Sequence, residues 1–137
     1  MNALAWVFSV KIVLTIVVWC VPLLMLPTSL LREWGFTTMA AVLVVRLLGW
    51  AYLVLCIGYA FGLRAARNGR RLVGPIWVGI VSNGGACGYL VYFGVLGAFT
   101  TWPSWLQVLA WGSALGAGLI MFGLLVFGVR GRQAMPA

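Results

Sequence analysis

Four long apolar runs, separated by short polar or basic segments, dominate the pattern of the chain. A helix needs about 20 apolar residues to cross roughly 30 Å of hydrocarbon. The runs therefore predict four transmembrane helices at about 4–26, 38–63, 72–99 and 105–129. Pro22 and Pro27 are expected to kink or end the first helix, because proline lacks an amide hydrogen. This helix is expected to be retained, since its apolar run exceeds that of a usual signal peptide and no A-x-A site follows.

The continuity of these runs favours helices over strands. Every backbone amide must find a partner inside lipid, and a helix satisfies its own. A transmembrane β-barrel would instead show strands of about ten residues that alternate in polarity. We therefore expect an all-α fold, a single transmembrane domain over residues 1–137 whose four helices form an up-down bundle.

Basic residues are distributed unequally among the connections. The segment 100–104 carries no charge, whereas the loop 64–71 and the tail are rich in arginine. These arginines are Arg64, Arg67, Arg70 and Arg71 in the loop, and Arg130 and Arg132 in the tail. Because cytoplasmic loops carry an excess of Lys and Arg, we expect an N-in, C-in orientation in a bacterial inner membrane. The loop arginines are also expected to attract anionic lipid headgroups, at roughly 1 kcal/mol per charge.

Aromatic residues agree with this orientation, since Trp and Tyr favour the membrane interface. The predicted outer interface contains Trp34, Phe36, Phe99, Trp102 and Trp105. The predicted inner interface contains Trp6, Phe61, Trp77 and Phe127.

Composition supports a membrane protein and argues against nucleic acid as a partner. The 137 residues are 64% hydrophobic and 7% charged, whereas soluble domains are about a quarter charged. The net charge is +8, from nine Lys and Arg residues against one acid, Glu33. A nucleic-acid surface needs a positive patch on a soluble body, but most of these charges lie between apolar runs.

Several chemistries lack the residues they need. The chain has no histidine, and its single acid lies outside the predicted helices. No phosphate-binding loop, dinucleotide fingerprint or nucleophile elbow is present. Cys20, Cys56 and Cys87 lie in apolar runs, where free cysteine behaves as a small hydrophobe. We therefore expect no enzyme activity, no metal and no cofactor.

Small residues indicate close helix packing. The chain has 18 glycines, and three pairs are spaced by four positions in helices two, three and four. The pairs are Gly58 and Gly62, Gly84 and Gly88, and Gly112 and Gly116. This spacing puts both glycines on one face and lets two backbones approach closely. The pattern fits a tight bundle within one chain and equally a homo-oligomer or larger membrane complex.

Arg46 lies inside the second apolar run. An arginine at a helix centre costs roughly 2.5–3.5 kcal/mol on insertion, and each neighbouring Leu, Ile, Val or Phe offsets about 0.3–0.6. Two interpretations stay open. Arg46 faces the bundle and holds an anion, a lipid headgroup or a polar partner, or the helix starts later and Arg46 extends outward to the interface. Glu33 is a candidate partner for it.

Asn83, near the middle of the third helix, is a second candidate. An amide in lipid seeks a hydrogen-bond partner on another helix, so Asn83 is expected either to fix helix packing or to form a polar binding site. Arg46 and Asn83 lie at comparable depth and are expected to meet if helices two and three are antiparallel. The tyrosines Tyr52, Tyr59, Tyr89 and Tyr92 are expected to pack, with cavity lining as the alternative.

The size, the four helices and the stretch Arg46-Leu47-Leu48-Gly49 resemble small bacterial inner-membrane proteins of the DoxX-like type. The resemblance covers the general layout and these few residues. It implies an accessory role in a redox system, near quinone. It carries no catalytic residue over to this chain.

Three functions follow, in order of expectation. The first is a non-catalytic multi-pass membrane protein that packs against protein or lipid partners. The second is a small oligomeric transporter or binder of an amphiphilic or anionic solute, held by Arg46 and Asn83. The third is a quinone-side accessory subunit of a redox complex.

Overall fold

The computed structural model describes residues 2–129, and within this range every regular element is helical. The α-helices are α1 (Ala3–Leu14), α2 (Val21–Met25), α3 (Thr28–Glu33), α4 (Met39–Arg67), α5 (Val73–Val95) and α6 (Ser104–Gly123). Two π-helical segments, π1 (Thr15–Cys20) and π2 (Leu124–Val129), continue α1 and α6. The predicted tail charges Arg130 and Arg132 lie outside the described residues.

Four helical spans are long and apolar enough to cross a membrane. They are Ala3–Met25, Met39–Arg67, Val73–Val95 and Ser104–Val129. Most of their large apolar side chains are exposed rather than packed within the chain, as a lipid environment requires. The all-α fold and the four spans confirm the prediction made from the apolar runs.

The basic segment between the second and third spans differs from the predicted loop 64–71. Arg64 and Arg67 lie in the last turn of α4, where cations interact favourably with the negative end of the helix dipole. The helix then ends at Asn68, and Gly69 adopts a left-handed conformation with φ of 69°. Arginine is also a good helix former, so the turn begins at the glycine rather than at the first charge.

The third span is also shorter than predicted, ending at Val95 instead of near residue 99. Gly97 has φ of 82° and stops the helix. Phe99 therefore belongs to the turn that follows, where it is buried.

Pro22 and Pro27 have different effects on the first span. The amide of Val21 donates to the carbonyl of Ile16, five residues back, so the π-helical register immediately precedes Pro22. The helix then continues as α2 and ends at Leu26, which is extended (φ −61°, ψ 138°) before Pro27. Residues that precede proline are disfavoured in helical conformation, which explains this break.

The helices pack as two pairs joined at one end. α1 packs mainly on α4, and α5 packs mainly on α6. A buried cluster connects the two pairs: Leu4, Ala5, Phe8, Tyr59, Ala66, Ile76, Ile80 and Leu124. Asn2 strengthens this end, because its side chain caps α1 through the amide of Ala5 and donates to the carbonyl of Ala66 at 2.6 Å.

The six glycines of the predicted pairs fall into two groups, and two of the pairs are split between them. A Cβ on Gly62 would lie 2.9 Å from Phe8 and Pro75, and one on Gly84 would lie 2.9 Å from the Met121 sulfur. These two glycines therefore allow close packing within the chain. The remaining four have no heavy atom within 4 Å of an added Cβ, namely Gly58, Gly88, Gly112 and Gly116. Helix contacts among the described residues therefore do not explain why these four positions are glycine.

Candidate functional site

A cavity of about 710 Å³ lies between the two helix pairs. Its wall includes Lys11 and Trp19 of the first span, Tyr52 of α4, Asn83 of α5 and Gly116 of α6. The segment 98–102 contributes Ala98, Phe99 and Trp102. Binding cavities for small ligands have volumes of about 300–1,000 Å³, so this one is large enough for a single ligand molecule.

Lys11 forms the charged part of the cavity wall. Its side chain is 6% exposed, although it lies in a span otherwise made almost entirely of apolar residues. The ammonium donates to Oδ1 of Asn83 at 2.8 Å, and its nitrogen lies 4.7 Å from the centre of the Tyr59 ring. The ring face is electron-rich and attracts cations, so the amide and the ring both stabilise the charge.

A hydrogen-bond network fixes the groups around this lysine. The Nδ2 group of Asn83 donates to the carbonyl of Gly79 at 2.5 Å, one turn earlier in α5. The hydroxyls of Tyr59 and Ser82 lie 2.8 Å apart and share a hydrogen bond. Asn83 and Tyr59 are both buried. The amide and the ring that contact Lys11 are therefore held in place by α5.

Aromatic and aliphatic side chains form most of the remaining wall. Trp19 and Tyr52 contact each other across the first and second spans, with ring centres 5.8 Å apart. Phe99 packs between Trp102 and Trp111, with centre distances of 4.8 and 5.8 Å. A cavity with a few polar groups and a predominantly apolar wall is typical of a site for an amphiphilic molecule.

Arg46 lies elsewhere and has a different role. It is half-buried and donates from Nη1 to the carbonyl of Leu23 at 2.7 Å, and from Nη2 to the carbonyl of Leu26. The carbonyl of Leu23 would normally accept from residue 27, but Pro27 has no amide hydrogen. Arg46 therefore caps the broken end of the first span.

The predicted meeting of Arg46 with Asn83 is wrong, since the partner of Asn83 is Lys11. The second interpretation also expected the helix to start later, but α4 starts at Met39, and the polar partners of Arg46 are the two carbonyl groups at the end of the first span. Glu33 is exposed in α3. It is not among the hydrogen-bond partners that the structure gives for Arg46. The structure supports one part of the first interpretation, namely that Arg46 faces the bundle and has polar partners.

All four tyrosines pack against another aromatic ring, as expected. Tyr52, Tyr59 and Tyr89 also line the cavity, and both Tyr89 and Tyr92 are exposed. At the opposite face, Trp34 and Trp105 of the predicted outer aromatic group lie with ring centres 5.3 Å apart. This contact links the segment after α3 to the start of α6.

Lys11 is the site residue that the sequence analysis missed. A single lysine near the start of an apolar run usually marks the cytoplasmic flank of a transmembrane helix. With α1 beginning at Ala3, Lys11 lies eight residues inside the helix, about 12 Å along its axis at 1.5 Å per residue. Thr15, one turn later, also lines the cavity. A Lys–Thr pair spaced by four inside an apolar run was the available signal.

Comparison with family models, curated proteins and solved structures gives no match to this chain. The resemblance to DoxX-like proteins therefore stays a prediction, and the geometry of the cavity is the main guide to function.

Proposed function

We propose that this protein binds an amphiphilic solute in the cavity between its helix pairs. The polar head contacts Lys11, and the apolar part lies between the aromatic walls. The observation that carries this proposal is the buried ammonium of Lys11 at the surface of a largely apolar cavity. We therefore favour the second of the three functions over the first, with Lys11 in the role expected for Arg46.

The charge of Lys11 has no acidic partner among residues 2–129. The only acid in the sequence is Glu33, which is exposed in α3. A buried charge costs several kcal/mol unless a partner offsets the loss of water. Asn83 and the Tyr59 ring offset part of that cost. A ligand whose head accepts hydrogen bonds or carries negative charge offsets more, so the site favours such a head.

The residues of the site fit binding better than catalysis. The cavity offers one amine, one amide and several hydroxyls. General acid–base catalysis relies most often on His, Asp or Glu, and the sequence contains no histidine and a single, remote acid. The proposal therefore treats the protein as a binder or carrier rather than an enzyme.

A direct test compares Lys11→Met with Arg32→Met after purification in a neutral maltoside detergent. Arg32 lies exposed in α3 and makes a long contact with the Met39 sulfur, so its removal changes net charge by the same amount outside the cavity. Native mass spectrometry is expected to show a bound amphiphile on the wild type and on Arg32→Met, and much less on Lys11→Met. Equal occupancy of all three proteins would refute the site.

The orientation is part of the same proposal. We infer an up-down bundle in a bacterial inner membrane, with both termini and the arginines near Gly69 in the cytoplasm, because loop arginines favour that side. A cysteine at Gly69 is expected to be protected from an impermeant thiol reagent in intact cells, and one at Thr100 is expected to react. A background with the native cysteines replaced makes the labelling specific, and the reverse pattern would contradict the orientation.

A second candidate function is an accessory subunit that packs against protein partners or against copies of itself. The unfilled space beside Gly58 and Gly88 favours it, since both residues are also exposed. Gly58→Leu is expected to change the mass of the detergent-solubilised complex if that face is an interface. An unchanged mass, with ligand binding intact, would leave solute binding as the function.

A further inference from the structure

The geometry points to a single-chain amphiphile with a carboxylate head as the ligand. This inference deepens the proposed function, on which it rests, by naming the chemical class of the solute. It follows from the number of hydrogen-bond donors at Lys11 and Asn83, the number of charges, and the shape of the cavity.

The polar end of the cavity has more donors than acceptors. An ammonium has three N–H donors, and among residues 2–129 the Lys11 side chain uses one, to Asn83. Asn83 has two amide hydrogens and uses one, to Gly79. Its acceptor oxygen is occupied by Lys11. An ionised carboxylate accepts and does not donate, so its two oxygens complement the unused donors of both residues.

The hydroxyls nearby do not change this balance. Tyr59 and Ser82 bond to each other at 2.8 Å, and Ser82 Oγ lies 3.4 Å from the carbonyl oxygen of Gly79. If Ser82 donates to Gly79, Tyr59 donates to Ser82, and both hydroxyl hydrogens are used. An alcohol head could accept from Lys11 or donate to the Tyr59 oxygen, but it carries no negative charge to balance the ammonium.

The charge of the site favours a monoanion. Of the described residues that line the cavity, Lys11 alone is charged, so one negative charge neutralises it. A phosphate monoester carries about −1.5 to −2 charges at neutral pH and would leave an excess of negative charge in an apolar environment. An amine head would place a second cation beside the first. A carboxylate matches both the charge and the donors.

The shape of the cavity favours one acyl chain. Its wall on α6 extends from Val108 to Ile120, about 18 Å of helix at 1.5 Å per residue. Along this length it meets Tyr89 and Phe93 of α5. An elongated apolar space with the charge near one part of its wall accommodates a single extended tail. Tyr89 and Val108 of this wall are exposed, so the space opens at the protein surface along the length of the tail.

The test is equilibrium dialysis of radiolabelled dodecanoate against the full chain in phosphatidylcholine nanodiscs, with empty nanodiscs as the blank. Dodecanol, dodecylamine and dodecyl phosphate serve as competitors of equal tail length. Dodecanoate is expected to bind saturably, and each competitor to bind at least about tenfold more weakly, as expected for loss of a charged hydrogen bond.

Two variants make the test specific to the headgroup. Asn83→Asp keeps an acceptor oxygen for Lys11 and supplies a negative charge from the protein, so dodecanoate binding is expected to fall at least about tenfold. Lys11→Met is expected to give a similar loss and covers the case in which Asn83→Asp does not fold. Arg32→Met is the control and is expected to bind like the wild type.

The outcomes separate the two proposals. Equal competition by dodecanol would overturn the carboxylate inference while the cavity remains a site for amphiphiles. Undiminished dodecanoate binding to Lys11→Met would overturn both proposals, because both place the polar head at Lys11. Preferential binding of dodecyl phosphate would overturn it in favour of a dianionic head. If no amphiphile in the panel binds the wild type, the proposed function fails as well.

Discussion

The ammonium of Lys11 and the amide of Asn83 lie 72 positions apart in the sequence and are joined by a hydrogen bond of 2.8 Å. This contact links α1 directly to α5, two helices that belong to different packing pairs. It therefore connects the two pairs and also forms the polar end of the cavity. Stability and ligand binding are expected to depend on the same two side chains.

Asn83→Leu is expected to destabilise the protein more than Lys11→Met. The first change leaves a buried ammonium without its amide partner, whereas the second leaves a neutral oxygen, and unpaired charged groups cost more. We expect losses of about 1–3 kcal/mol for Asn83→Leu, measured by chemical unfolding in maltoside detergent. The double variant should lose less than the sum of the two. Strict additivity would show that the hydrogen bond does not contribute.

Arg46→Leu is expected to destabilise the first span, because the carbonyls of Leu23 and Leu26 lose their donors. An unpaired acceptor costs about 1–3 kcal/mol when it is fully buried, and these two are part-buried, so the loss lies toward the lower end. Pro27→Ala restores an amide hydrogen at the position that the Leu23 carbonyl needs, so it should recover part of the loss in the double variant. Hydrogen exchange of α2 is the measurement. Unchanged exchange in Arg46→Leu would contradict the capping role.

Gly116→Leu is expected to block ligand binding without loss of stability. Gly116 lines the cavity, and an added Cβ meets no heavy atom within 4 Å, so the larger side chain occupies space that the ligand needs. Gly85→Leu is the matched control, since Gly85 also has open space around it but lies outside the cavity wall. Binding should fall at least about tenfold for Gly116→Leu alone. Equal binding by both variants would place the ligand elsewhere.

Gly62→Ala is expected to destabilise the fold by about 1–3 kcal/mol, the usual cost of overpacking a well-packed core. The new methyl group would lie 2.9 Å from Phe8 and from the ring of Pro75. Gly58→Ala, one turn earlier on the same helix, meets no neighbour and should stabilise the isolated chain, because alanine favours helix by about 0.5–1 kcal/mol over glycine. Thermal unfolding of the two variants checks the contrast, and equal melting temperatures would contradict it.

The helical architecture was predictable from the sequence because hydrophobic runs of membrane length determine it almost alone. The ends of the helices were less predictable. Gly69 and Gly97 end their helices through left-handed backbone conformations, whereas the arginines before Gly69 still favour helix. The π-helical segments also had no signal beyond Pro22. Their register is determined by backbone hydrogen bonds that the apolar pattern does not encode.

The candidate site was predictable only in part. Asn83 was identified because an amide in an apolar helix needs a partner, but depth alone does not say which helix supplies it. Arg46 and Lys11 are both cations inside apolar runs, and the packing of α1 on α4 decides between them. It brings Arg46 to the end of the first span and leaves Lys11 facing α5. Which of the two cations lines the cavity can therefore be known only from the tertiary structure.

The capping of the first span by Arg46 has a consequence for biogenesis. The guanidinium of Arg46 belongs to the second span. That span leaves the ribosome after the first span, whose carbonyls at Leu23 and Leu26 are uncapped until Arg46 arrives. The two segments satisfy each other only as a hairpin, so the translocon is expected to release them together. A truncated nascent chain ending before Arg46 would then expose carbonyl groups to hydrocarbon and remain associated with the insertion machinery.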